Sequence, residues 1–177
     1  MKHDYHATHY SGARSFSVLK YIVVHDIESA NYKAAAENCG AWFENRASKG
    51  SSNYGIDNNS LQQYLGLGTI PWGAPSVNTN GIHIEQMGLA TWTNAQWRSK
   101  AVGTLDNCAW LIARLNTRLG IPIRTLSDAQ LKSGHYRGII THAQATRVFG
   151  GTHTDPGHGY PLQHVLTMAK AYAKKGV

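Results

Sequence analysis

YIVVH at residues 21 to 25 and GIITH at residues 138 to 142 decide how this chain is read. Each is a short β-branched apolar run closed by a histidine, the composition of a buried strand. Between them, NYKAAAENCGAWFENRA at 31 to 47 has Ala-rich helical spacing. SNYGID at 52 to 57, LQQYLGL at 61 to 67 and GIHIEQM at 81 to 87 read as short strands separated by Asn, Ser, Gly and Pro turn residues. Residues 94 to 119 read as one long helix. Thr93 and Gln96 form a T-x-x-Q capping box at its start, and Gly120 with Pro122 stops it. Trp97, Ala101, Leu105, Cys108, Leu111, Leu115 and Leu119 recur at three- and four-residue steps along it, marking one buried face. A last helix is expected over 161 to 175. Strands and helices interleave, and several strands stand close enough to pair antiparallel. The expected class is α/β, a single domain with a central mixed β-sheet flanked by helices.

The bulk numbers agree with one globular domain: 177 residues, 42% hydrophobic and 15% charged, with no repeat, low-complexity run or linker. A chain this long can bury roughly 70% of its unfolded surface, so its core needs no metal or disulfide staple and a bound metal would serve function. The expected organisation is one catalytic domain over 1 to 177, with 1 to 20 as an N-terminal extension packing on it and no separate binding domain. No apolar stretch is long enough for a membrane span, and MKHDYHATHYSGARSF lacks the apolar segment of a secretory signal. Cys39 and Cys108 lie far apart in segments that read as helices, so buried free thiols are expected ahead of a disulfide. The net charge of +7 points to an anionic partner: nucleic acid, an anionic membrane, or bacterial wall polymers.

His25 and His142 close the two diagnostic strands, and strand ends are where α/β sheets build sites. If the strands are neighbours, both imidazoles leave the same edge, and a third ligand would complete a zinc site with one open position. Asp155 in THTDPG leads for that role, because Pro156 and Gly157 set a turn that holds the carboxylate. The competing reading of each histidine is a satisfied structural residue. His3, His6 and His9 read as a solvated N-terminal segment able to trap metal adventitiously, and His135, His158 and His164 receive no role.

With these segments in hand, the chain resembles the zinc-dependent N-acetylmuramoyl-L-alanine amidases, the family that includes phage endolysins, wall-recycling amidases and animal peptidoglycan recognition proteins. The resemblance runs through YIVVHD at 21 to 26, SSNYGID at 51 to 57, IPWGAP at 70 to 75, NTNGIHIEQMG at 78 to 88 and GIITHAQATRVFGGTHTDPG at 138 to 157. It implies that His25, His142 and Asp155 bind Zn2+, and that Glu85 stands where many members carry a catalytic glutamate. Alternation agrees for Glu85: if Ile82 and Ile84 are core, Glu85 and His83 point away from it. His153 stands two residues before the third ligand, where related enzymes often carry lysine. A histidine there can aid a developing oxyanion only when protonated, or more weakly as a neutral donor; the competing readings are a plain loop histidine and a rival to Asp155 as ligand. Gly73 after Trp72 and Asn53 before Tyr54 replace histidines that are common in the family, which bears on groove shape. Tyr54, Trp72 and His83 are the expected substrate-binding residues, with a core position the competing reading for either aromatic.

The resemblance implies a hydrolase that cuts the amide between the lactyl group of N-acetylmuramic acid and L-alanine in peptidoglycan, using zinc-activated water. A phage endolysin fits best, acting from the host bacterial cytoplasm with release to the wall. The basic charge would then hold a monomeric enzyme on anionic wall polymers. Alternatives are a wall-recycling amidase or a peptidoglycan-binding module of the same fold without turnover. Nucleic-acid binding is disfavoured, because no RNP, helix-turn-helix or zinc-finger signature is present and the basic residues are scattered.

Overall fold

The structure, a computed structural model, describes residues 5–176, so His3 lies outside the described residues. The elements are β1 (Tyr10–Ala13), β2 (Tyr21–Val24), α1 (Ala35–Glu44), β3 (Tyr54–Ile56), β4 (Leu61–Gln63), β5 (Thr69–Pro71), β6 (Gly81–Gln86), α2 (Asn94–Lys100), α3 (Val102–Leu119), α4 (Asp128–Ser133), β7 (Gly138–Thr141), α5 (His142–Phe149) and α6 (Leu162–Lys174). Five strands form one sheet in the order β4-β3-β6-β2-β7. β3, β6, β2 and β7 run parallel, and β4 is antiparallel to β3. The class is therefore α/β with a mixed central sheet. β1 and β5 form a separate antiparallel pair.

Both faces of the sheet are covered, which is why β2 carries an apolar run without polar alternation. Ile22 and Val24 of β2, with Ile82 and Ile84 of β6, pack with Leu105, Leu111 and Ile112 of α3 and Val165 and Leu166 of α6. On the other face Tyr21, Val23 and Ile140 pack with Leu131 of α4 and Ala145 of α5. The parallel register pairs Val23 with His83 on one side and with Ile140 on the other. Residues of odd number on β2 and β6 and of even number on β7 thus share the α4/α5 face.

The segment before β2 is tied down by Arg14. Its buried guanidinium donates to the carbonyls of Leu67 (2.8 Å), Asn78 (2.6 Å) and Gly81 (2.7 Å), and burial lowers its pKa to about 10. Farther upstream, the Thr8 amide donates to the Phe43 carbonyl at 3.0 Å.

Several boundaries differ from expectation. The helix read over 31 to 47 is confined to α1, whose early Ala36 amide donates to the Asp57 carboxylate at 3.2 Å. The single helix read over 94 to 119 is two, broken at Ala101 (φ −111°, ψ 33°). The apolar periodicity continues through the break, so the pattern could not reveal it. Its cause is distant in sequence: the Asn58 side chain donates to the Lys100 carbonyl (2.8 Å) and accepts from the Thr104 amide (2.9 Å). The Thr93–Gln96 capping box is present, and Gly120 caps α3 in the left-handed region at φ +65°. Both cysteines are free and buried. Among the described residues, no helix is long and apolar enough to cross a membrane.

Candidate functional site

The parallel ladder continues one step beyond β2, where the His25 amide donates to the Ile84 carbonyl at 3.0 Å. His25, Glu85 and His142 therefore stand in a row at the carboxyl ends of three adjacent strands, β2, β6 and β7, on one face of the sheet. His142 is not the last strand residue that the pattern suggests. It is the first residue of α5, whose N-cap Thr141 accepts the Gln144 amide. Asp155 arrives from the loop before α6, held where its carbonyl accepts the Ala143 amide at 2.8 Å.

His25 Nδ1 lies 3.1 Å from Asp155 Oδ2, and His142 Nδ1 lies 3.0 Å from Asp155 Oδ1. One ligand atom from each of the three residues can be chosen so that all lie within 4.8 Å of one another. Burial disfavours the charged carboxylate of Asp155, but hydrogen bonds from His142 and His25 outweigh it and hold its pKa far below the usual carboxylate range. Burial lowers the pKa of His25, opposed by Asp155. An ionised carboxylate is the protonation state a metal requires of Asp155, and the imidazole Nδ1 atoms that hydrogen-bond to it are the positions a metal would take in place of those protons. The imidazole-to-carboxylate separations also approach the edge of about 3.3 Å expected for a tetrahedron with zinc-ligand bonds of about 2.0–2.1 Å. The donor set fits zinc.

Glu85 Oε1 is 4.0 Å from His25 Nδ1, with its side chain 13% exposed. Burial, followed by the charges of Asp155 and Asp26, raises its pKa well above that of an ordinary glutamate. His153 stacks on the His142 ring with centroids 4.0 Å apart and places Nδ1 3.5 Å from Asp155 Oδ1, its side chain 62% exposed. These groups open into a cavity of about 610 Å³, whose wall includes Glu28, Phe43 and Trp72. Trp72 is 42% exposed, and its indole nitrogen donates to Ser11 Oγ at 2.6 Å.

Two expected substrate contacts are corrected. Tyr54 is 3% exposed and belongs to the apolar layer beneath α3, because it alternates onto the Ile84 side of the sheet. His83 is fully buried, with Nδ1 2.9 Å from His25 Nε2. It sits behind the metal-facing imidazole, and neither residue can meet a substrate. Burial, then the charges of His25 and Arg14, keeps His83 well below its ordinary pKa. Sequence reading assigned no role to Asp26, whose Oδ1 accepts the Glu28 amide at 3.0 Å while Oδ2 is buried without a partner. Its place directly after His25 was the available signal.

A family model described as N-acetylmuramoyl-L-alanine amidase (Amidase_2) matches residues 15–158, which spans the sheet and all three candidate ligands. The chain belongs to that family. It is thus an N-acetylmuramoyl-L-alanine amidase, a hydrolase of peptidoglycan. Solved structures agree on the fold. The hydrolase AmiA of Staphylococcus aureus, in complex with its ligand, superposes with a TM-score of 0.71 at 19% identity, covering 99% of this chain and 84% of that one. A mutant endolysin from Bacillus subtilis gives 0.59 at 18% identity over 97% and 96%. The amidase LysCS from Clostridium intestinale gives 0.56 at 12% over 92% and 93%. The curated proteins contain no match to this sequence.

Proposed function

We propose that this amidase is zinc-dependent and of the endolysin kind, with His25, His142 and Asp155 as ligands and Glu85 and His153 as the catalytic groups. The observation that carries the reading is the convergence of the three ligand atoms beside a raised-pKa glutamate at the floor of an open cavity. Zinc held there supplies Lewis acidity toward both water and the scissile carbonyl.

The protein's own groups do the rest. Glu85 stands within reach of a water positioned between it and the histidines. Its elevated pKa suits it first to accept the proton of the attacking water and then to deliver it to the L-alanine nitrogen as that bond breaks, a shuttle worth about 10² to 10⁴ in rate. His153, stacked flat on His142, presents a ring to the cavity and donates a hydrogen bond to the carbonyl oxygen as charge grows there. Trp72 offers an exposed aromatic face to sugar or peptide. Anionic wall polymers are the wider partner that a +7 surface favours.

Purified peptidoglycan digested with and without a chelator tests this, with mass spectrometry of the products. Free stem peptides bearing an L-alanine amino terminus should appear, vanish on chelation and return with zinc. Glu85→Gln should slow their release by at least about 100-fold with zinc still bound. New reducing sugar ends, chelator-insensitive release or a Glu85→Gln variant near parental rate would each overturn it.

A further inference from the structure

We propose that His83 is a positioning residue for the metal site, acting as a fixed hydrogen-bond acceptor that orients His25, in a slot that exists because residue 73 is glycine. The inference rests on the zinc reading above and deepens it.

The orientation of His25 is the starting point. Its Nδ1 faces Asp155 at 3.1 Å and its Nε2 faces His83 Nδ1 at 2.9 Å. A neutral imidazole that ligates through Nδ1 carries its proton on Nε2. That proton needs an acceptor, because the ring is buried. His83 Nδ1 is the acceptor within reach, and His83 then carries its own proton on Nε2, a buried donor left without a partner, so the His25 proton is satisfied at that cost. Ligating histidines are held in tautomer and angle by such a partner on the far nitrogen. Here the partner is a second imidazole rather than a carboxylate, which leaves the site without an additional negative charge.

The surroundings of His83 are built to hold that ring still. Its backbone is clamped from both sides by Asn53, whose Oδ1 accepts the His83 amide (3.0 Å) and whose amide donates to the His83 carbonyl (3.1 Å). The ring lies over Gly73 and Gly81. A Cβ on Gly73 would collide with His83 Nδ1 and stand 2.9 Å from its Cγ, and a Cβ on Gly81 would stand 2.8 Å from its Nε2. Gly73 has no positive φ to require glycine; the requirement is space for this imidazole. Asn53 and Gly73, 20 residues apart in sequence, both meet at His83.

Zinc binding by the full chain, measured by competition with a chromophoric chelator, provides the test, and it reads affinity rather than turnover. His83→Leu should weaken zinc binding by about 10- to 100-fold. His83→Asn, whose Oδ1 replaces Nδ1 as acceptor, should stay within about threefold of the parent. Gly73→Ala, which displaces the ring without altering it, should weaken binding in the direction of His83→Leu. Binding by His83→Leu within twofold of the parent, or His83→Asn as weak as His83→Leu, would overturn the proposal. Should His83→Leu fail to fold, the other two variants decide: Gly73→Ala at parental affinity overturns it, and weakened Gly73→Ala with retained His83→Asn supports it. A parent that takes up no zinc removes the metal reading itself, an outcome distinct from a parent that binds and variants that bind equally well.

Discussion

Asp26 shows what burial does to a carboxyl beside this site. Burial, reinforced by the charges of Glu28 and Asp155, raises its pKa to about 8, whereas in the unfolded chain it ionises near 3.8. Between those values the folded protein holds a proton that the unfolded chain has released. Stability must therefore fall as pH rises through the interval, with the loss complete above the folded pKa. Asp26→Asn retains the acceptor for the Glu28 amide and removes the ionisation. Urea unfolding of metal-free protein at pH 5 and pH 8 should show the parent losing at least about 1 kcal/mol more than Asp26→Asn across that range. Equal losses would mean that Asp26 is already ionised in the fold. The same residue scale explains the corrected substrate contacts. Alternation along β6 places His83 and Glu85 on the face away from Ile82 and Ile84, but that face is itself covered, and only the position nearest the strand end reaches the cavity.

At the scale of elements, local rules held where the determinant was local. Thr93 and Gln96 cap α2, Gly120 ends α3, and the Ser127–Gln130 capping box that opens α4 obeys the same chemistry. The break between α2 and α3 was illegible because Asn58 causes it from 42 residues away. Asn58→Ala should destabilise the fold by about 1–3 kcal/mol, since it strips partners from the Lys100 carbonyl and the Thr104 amide and hydroxyl. Equilibrium denaturation checks this, and a change under about 0.3 kcal/mol would show that water or a continuous helix replaces the amide at no cost. β1 and β5 carry no strand pattern in sequence. They are four and three residues long, and their pairing with each other is the only thing that makes them strands.

For the whole molecule, the charge of +7 should govern the encounter with an anionic wall. Attraction between exposed charges is screened over about 8–10 Å at physiological salt and over about 3 Å at 1 M. Binding to isolated walls should therefore fall at least about tenfold between 0.05 and 1 M salt, as read by cosedimentation. Salt-independent binding would assign wall recognition to the cavity alone.

Strand and helix chemistry along the chain determined the α/β class, the buried stripe of α3 and the histidines that end the two diagnostic segments. Those features depend on neighbours within a few residues, so spacing and side-chain type suffice to read them. The tertiary structure decided which of the marked residues meet. Parallel register aligned His25, Glu85 and His142, and a loop far along the chain brought Asp155 within 3.1 Å of His25. It also sent Tyr54 into the core and His83 behind His25 rather than into a groove. Side-chain alternation tells which face a residue takes. What covers that face is set by chain segments distant in sequence, and only their packing separates a substrate contact from a buried support.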